Sequence, residues 1–257
     1  MIKPGLCSVS FRSKTPAEII SLASQAGLTS IEWASDSHVR EGDVTTAKEV
    51  RKMTEDAGLE VSSYGSYFRI GLGTDIVPYL ESAKALGAKE IRIWGGPHPS
   101  KYMFFYQRQS LVREAREISD IAADYGITLS TECHSATITD TPESLLFFMF
   151  EVNKENFRTY WQPLLHIPEE EQMNALKAVY ASGKLTNLHT YQIKLNCNTS
   201  SSHLISEGYD EWLERFSIFK DDKTVRHALI EFVKNSSDES FFSDAKTLIE
   251  LCNKVNN

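Results

Sequence analysis

Five polar side chains stand where otherwise apolar, strand-like runs come to an end. Glu132 and His134 close Ser-Thr-Glu-Cys-His, Gln162 closes Tyr-Trp-Gln-Pro, His189 lies in Asn-Leu-His-Thr, and Glu231 lies in Ala-Leu-Ile-Glu-Phe-Val. A carboxylate or imidazole embedded in apolar surroundings costs free energy unless a partner compensates it. If the four runs are neighbouring strands of one barrel, their C-terminal ends share a rim, and the donors there can surround a divalent cation that removes this cost. Residues i and i+2 of a strand share a face, so Glu132 and His134 can both point inward. Mixed carboxylate and imidazole donors with open positions suit Mn²⁺, Zn²⁺, Co²⁺ or Mg²⁺ in a catalytic site.

The elements that would position these residues follow a repeated pattern of helix-like segment, glycine and short apolar run. It occurs around Gly27, Gly58, Gly87 and Gly126. A glycine just past a helix supplies the left-handed cap that turns the chain back into a strand, and spacings of about 30–40 residues suit βα units on a parallel sheet. Strands are expected over 6–11, 30–34, 60–64, 90–94, 128–133, 157–162, 185–191 and 227–233, with helices between them. Thr15-Pro16-Ala-Glu18 opens the first helix with a capping box and Pro at its first position, and Thr141-Pro142 opens the fifth in a similar way. The segment 190–208, rich in Asn, Thr and Ser, lacks periodicity and reads as an active-site loop. Eight βα units and no linker make the chain a single α/β domain over 1–257, a (β/α)₈ TIM barrel of typical length. A doubly wound sheet is the alternative, but no Gly-rich phosphate fingerprint follows the first strand.

Composition narrows the function classes. The 257 residues are 41% apolar and carry a formal net charge of −8. Acidity with scattered Lys and Arg argues against nucleic acid as a partner. No run approaches the roughly 20 apolar residues of a membrane span. Cys7, Cys133, Cys197 and Cys252 form no CxxC pair and read as reduced thiols, and the N-terminus lacks a signal-peptide pattern, so a cytoplasmic location is expected.

The ordered set of motifs resembles the xylose isomerase-like barrels, the sugar phosphate isomerase/epimerase group that includes the tagatose and psicose 3-epimerases. It comprises Ile-Glu32-Trp33 with Asp36-Ser-His38, Ser-Tyr64-Gly-Ser-Tyr67-Phe-Arg69, Ile-Arg92-Ile-Trp94-Gly-Gly, Glu132-x-His134 with Thr139-Asp140, Trp161-Gln162-Pro, Asn-Leu-His189 and Ile-Glu231-Phe. The resemblance spans essentially the whole chain. It implies a metal held by a Glu, an Asp, a His and a Glu from strands five to eight, here Glu132, Gln162, His189 and Glu231. Gln162 stands where the family usually has Asp, and its amide brings no charge. The Arg that family epimerases place after the His is also missing, since the stretch runs Ser202-His203-Leu-Ile-Ser-Glu207.

The resemblance further implies proton transfer at the carbon next to a carbonyl, through a metal-stabilised enediolate, with Glu132 and Glu231 on either side of the substrate. A metal-dependent isomerase or epimerase of a small sugar or polyol-derived molecule is the expected activity. An inosose-type dehydratase on the same barrel and a non-catalytic sugar-binding barrel are the alternatives; the apurinic-site endonucleases share the fold but need more ligands and a basic surface. His134, Trp94, Tyr64, Arg69, His38 and Arg92 are the candidate substrate contacts. Trp33 and Trp161 read as core, and His98, His166 and His203 as surface residues. The apolar run 145–150 reads as a buried helix or a subunit contact, so a homo-oligomer is a possible partner state.

Overall fold

The computed structural model describes residues 1–196 and 199–257, which leaves Cys197 outside the described residues. The chain alternates β1 (Ile2–Cys7), α1 (Pro16–Gln25), β2 (Ser30–Ala34), α2 (Val44–Asp56), β3 (Glu60–Arg69), α3 (Val77–Leu86), β4 (Glu90–Trp94) and α4 (Phe105–Asp124). It continues with β5 (Thr128–Thr131), α5 (Pro142–Val152), β6 (Phe157–Trp161), α6 (Glu169–Ala181) and β7 (Leu185–Thr190). An antiparallel hairpin, β8 (Gln192–Asn196) and β9 (Thr199–His203), precedes α7 (Tyr209–Ser217), β10 (Arg226–Ile230) and α8 (Asp238–Asn256). Eight strands close into a parallel barrel in the order β1-β10-β7-β6-β5-β4-β3-β2, the (β/α)₈ architecture expected from the glycine-punctuated repeat. No helix among the described residues is long and apolar enough to cross a membrane.

Local chemistry sets the element ends. Thr15 and Glu18 complete the capping box of α1 with Pro16 inside it, and Thr141 accepts from the Ser144 amide at the start of α5. Gly87 ends α3 at φ 81°, a left-handed conformation that costs a residue with a Cβ.

Three expectations are corrected. The first strand lies at 2–7, not 6–11, and Ser8–Phe11 form a 3₁₀ turn. Gly5 is needed within this strand. A Cβ at that position would meet Ser30 Oγ at 2.4 Å and Leu229 Cδ2 at 2.8 Å, because neighbouring strands crowd the narrow barrel interior. The third strand runs on to Arg69, so Tyr67 and Arg69 belong to it and not to a loop. The segment 190–208 contains a hairpin, its pairs running from Gln192–His203 to Asn196–Thr199.

Two apolar clusters hold the barrel. The larger lies between strands and helices and includes Trp33, Phe148, Trp161, Trp212 and Phe241. The smaller, Cys7, Val9, Ala34, Tyr160 and Leu229, fills the barrel beneath the mouth. Trp33 and Trp161 are core residues as expected. In the 145–150 run Leu145, Phe148 and Met149 are buried, whereas Phe147 and Phe150 are exposed.

Candidate metal centre

Four strand ends bring the candidate ligands together. Glu132 follows β5 and Glu231 follows β10, each extending its ladder by one bond, Glu132 N to Ile93 O and Glu231 N to Thr190 O, both 3.1 Å. Gln162 follows β6, and His189 is the penultimate residue of β7. The residue after Glu231, Phe232, has φ 54°, a left-handed conformation that is a genuine outlier for a bulky side chain and marks local strain at the site.

The donor atoms face one another. His189 Nδ1 lies 2.9 Å from Gln162 Oε1, 3.4 Å from Glu231 Oε2 and 3.9 Å from Glu132 Oε1. One ligand atom each from Glu132, His189 and Glu231 falls within 4.8 Å of the others. The orientation of the Gln162 amide is set from behind, because its Nε2 donates to the Cys133 carbonyl at 2.7 Å and so its oxygen faces the site. Thr139 Oγ1 donates to the Glu132 carbonyl at 2.5 Å and braces the end of β5.

Electrostatics divide the two carboxylates. Burial alone would raise the pKa of Glu132, but Arg92, and after it His189, overcome burial and hold it lowered. Arg92 Nη1 donates to Glu132 Oε2, and Arg92 Nε donates to Glu32 Oε1 at 3.0 Å. Among the described residues no guanidinium clamps Glu231. Burial, opposed by His189 and reinforced by Glu132, raises its pKa, and its buried Oε2 has no hydrogen-bond partner. His189 is raised, with its neighbours Glu231 and Glu32 overcoming burial.

A cavity of about 600 Å³ opens above these donors, within the range of small-molecule sites. Trp94 and His134 line it with their rings 4.3 Å apart at the centroids, and the Trp94 Nε1 is buried without a partner. Burial lowers the pKa of His134 and pushes Tyr67, at the rim, up to about 12. The hairpin contributes Ile193 and Leu195, and the segment after β1 contributes Arg12, which donates to Tyr67 and Asp36.

Not every candidate contact reaches the cavity. Tyr64 is fully buried and donates to the Val39 carbonyl at 2.7 Å, on the helix-facing side of β3. His38 is buried against Trp33, with Ser8 Oγ at 3.0 Å and the Lys14 carbonyl at 3.2 Å from its ring nitrogens. Arg69 lies over the Trp94 ring at 4.0 Å and donates to the Gly96 carbonyl, so it supports a wall of the cavity from outside. Arg92 reaches the cavity floor but is committed to two carboxylates. His166 is exposed yet lines the rim, His98 is exposed, and His203 pairs with Glu207 on the hairpin.

Comparison with known proteins places the chain. A sequence model of the xylose isomerase-like TIM barrel family matches residues 20–251. A 3-dehydroshikimate dehydratase of Bacillus anthracis is 28% identical over 170 residues, a stretch covering 61% of this chain and 60% of that relative. Among solved structures, the probable 3-DHS dehydratase AsbF of Bacillus anthracis, described as involved in petrobactin synthesis, superposes with a TM-score of 0.78 at 21% identity, covering 97% of this chain and 99% of that one. A D-psicose 3-epimerase solved in the presence of D-fructose superposes with a TM-score of 0.72 at 16% identity, covering 98% and 99%. At those identities the superpositions speak for the fold alone.

Proposed function

The chain belongs to the xylose isomerase-like TIM barrel family, and from that premise we propose that it is a cation-dependent dehydratase of a small cyclic or sugar-like hydroxy ketone. Glu132, Gln162, His189 and Glu231 would hold the divalent cation, of the Mn²⁺, Zn²⁺, Co²⁺ or Mg²⁺ class. The donor set fits such an ion: two carboxylates and an imidazole nitrogen converge, an amide oxygen is aimed at them, and the buried Glu231 Oε2 lacks any other partner. The chemistry a divalent cation supplies in such a place is polarisation of a substrate carbonyl, which acidifies the neighbouring C–H.

One observation carries the choice of reaction: Arg92 clamps Glu132, whereas among the described residues no Arg or Lys pairs with Glu231 and its Oε2 has no hydrogen-bond partner. Epimerisation by two opposed carboxylates asks each in turn to take and give a proton, and a carboxylate held ionised by a buried guanidinium is a poor base. A single free carboxylate suffices for elimination. Glu231 takes the proton beside the carbonyl and gives it to the hydroxyl leaving from the next carbon, so that water departs and Glu231 returns to its starting form. His134 stands in the cavity wall to hold a substrate oxygen, with the Trp94 ring beside it. The name of the Bacillus relative supports the same class, with 3-dehydroshikimate as the first compound to try.

Isomerisation, the activity expected from the sequence, stands as the second reading, because Glu132 and Glu231 both face His189. The two separate in one experiment. Protein loaded with Mn²⁺ is incubated in D₂O with 3-dehydroshikimate, inososes and a panel of ketoses, and products are followed by NMR. Dehydration predicts a dehydrated product with a new double bond. Deuterium at the carbon beside the carbonyl with water retained would overturn it in favour of isomerisation.

A further inference from the structure

Glu32 takes no part in the candidate donor set, yet it sits directly beneath it. It lies on β2, where all five residues are buried. Its Oε1 accepts from Arg92 Nε at 3.0 Å and from the Cys7 thiol at 3.1 Å, and its Oε2 accepts from Ser63 Oγ at 2.8 Å. The same Oε1 stands 3.6 Å from His189 Nε2. That nitrogen is turned away from Gln162 and Glu231, is buried, and has no hydrogen-bond partner. The adjacent strand β3 leaves space for this arrangement, since a Cβ at Gly65 would meet Glu32 Oε1 at 2.7 Å and Arg92 Nη2 at 3.1 Å. Cys7, Glu32 and His189 by themselves resemble a second cation cluster, but the Arg92 guanidinium already occupies the Glu32 oxygen they would share.

We propose that Glu32 is the positioning residue of the centre, holding two ligands at once. Without a cation the Nδ1–H of His189 donates to Gln162 Oε1 at 2.9 Å; with the cation in place Glu32, facing Nε2, favours the tautomer protonated there and so frees Nδ1 for the ion. Gripping Arg92, it fixes the clamp that in turn holds Glu132. A carboxylate behind a ligating histidine raises its basicity and fixes its ring, and loss of such a partner costs 10- to 100-fold in metal affinity. The inference rests on the reading that these donors hold a cation.

The test uses Zn²⁺ as the probe. In long-range ¹⁵N–¹H spectra of the Zn²⁺-loaded wild-type protein, His189 shows a protonated Nε2 and a metal-bearing Nδ1. By calorimetry Glu32→Gln binds Zn²⁺ 10- to 100-fold more weakly, while Ser63→Ala, which touches only the far oxygen, stays within a few-fold of wild type. Zn²⁺ bound through Nε2, or undiminished affinity in Glu32→Gln, overturns the role of Glu32 and leaves the cation reading intact. A wild-type protein that takes up no Zn²⁺ overturns both. Should Glu32→Gln fail to fold, the wild-type spectrum alone decides.

A separate observation concerns the outer surface. Tyr102, Phe104, Phe105, Tyr106, Phe147 and Phe150 are each 52–78% exposed. Tyr102 and Phe104 lie just before α4, Phe105 and Tyr106 open it, and Phe147 and Phe150 lie on α5; Phe104 stacks with Tyr106 at 5.9 Å, and Arg108 of α4 lies over the Phe147 ring at 4.6 Å. At about 150–250 Å² per aromatic side chain, they present on the order of 800 Å². That exceeds the largest apolar patch usual on a monomer, roughly 300–600 Å², and matches the roughly 800 Å² that each partner brings to a stable interface. We infer that this face pairs with the same face of a second copy of the chain. Sedimentation equilibrium is expected to show a dimer, and Phe105→Glu with Phe150→Glu a monomer of unchanged circular dichroism. A wild-type monomer at every concentration reached, or a double variant that still dimerises, overturns the inference.

Discussion

The Arg92 guanidinium donates to the Glu132 carboxylate with both side chains almost wholly shielded from water, 3% and 5% exposed. A buried ion pair is expensive to break from one side, because the survivor is left charged and unpaired. Arg92→Ala strands two carboxylates, Glu32 and Glu132, and is expected to cost about 3–5 kcal/mol in urea denaturation. Arg92→Lys keeps the charge but cannot serve both acids in a fixed fork, so it should fall between wild type and Arg92→Ala. Equal stability of all three proteins would mean that the pair is not formed in solution.

Glu231→Gln separates catalysis from folding. Removing the proposed proton acceptor should lower turnover by about 10²–10⁴-fold. The sign for stability is opposite. Burial raises the pKa of Glu231, so the ionised carboxylate disfavours the cation-free fold as pH rises past its unfolded value, and a neutral amide removes that penalty. The cation-free melting temperature should therefore be unchanged or higher at pH 7. A variant with wild-type turnover rules Glu231 out as the base.

The candidate ligands were legible because each is a polar residue closing an apolar strand, and a strand end in a barrel is a place with a known address. What periodicity leaves open is the side of the strand and the depth along it. Tyr64 shares β3 with residues that face the barrel interior, but the pleat turns it toward the helices. Arg92 is on the inner side but one level too deep to serve substrate first. Glu32 carries a signal of its own, a lone acid in Ser-Ile-Glu-Trp-Ala, but its strand lies outside the four that bring the candidate ligands. Arg12 carries no signal in the sequence, because its place at the cavity depends on contacts with Tyr67 and Asp36 that only closure of the barrel brings near.

Glu90 gives the barrel a pH-dependent floor. It accepts from Asn187 Nδ2 at 3.0 Å and from Ser130 Oγ, and burial pushes its pKa up to about 7 from 4.5. Its folded pKa lies above the unfolded one, so the protein is most stable with respect to this group below pH 4.5. Stability then falls as pH rises toward 7, by up to about 3 kcal/mol at 1.36 kcal/mol per pH unit. Glu90→Gln should flatten this slope and stabilise the protein above pH 7. Denaturation midpoints at pH 5 and pH 8 that differ equally in wild type and variant would refute the assignment.

Gly65 tests whether the clamp tolerates displacement. An alanine Cβ there presses on Glu32 Oε1 and Arg92 Nη2, and neither can retreat without losing a buried charged partner. Gly65→Ala should cost about 1–3 kcal/mol by overpacking and weaken Mn²⁺ binding together with stability. Circular dichroism melting and calorimetry read the two effects; loss of neither would show that the clamp has slack.

Gln162 is the candidate ligand whose role the sequence left most open, and its neutral amide offers the sharpest handle. Gln162→Glu keeps the length of the side chain and presents an anionic oxygen beside His189 Nδ1, now 2.9 Å from the amide oxygen. If that oxygen meets the cation, Mn²⁺ affinity should rise at least tenfold, since a third carboxylate faces the ion. The cation-free protein should suffer for the same reason. A further acid joins Glu32, Glu132 and Glu231 in a buried site, and the Cys133 carbonyl loses the Nε2 donor now at 2.7 Å, so the melting temperature without metal should drop and recover on adding Mn²⁺. A lower melting temperature with no gain in Mn²⁺ affinity would assign Gln162 to bracing the site, with the cation held by Glu132, His189 and Glu231 alone.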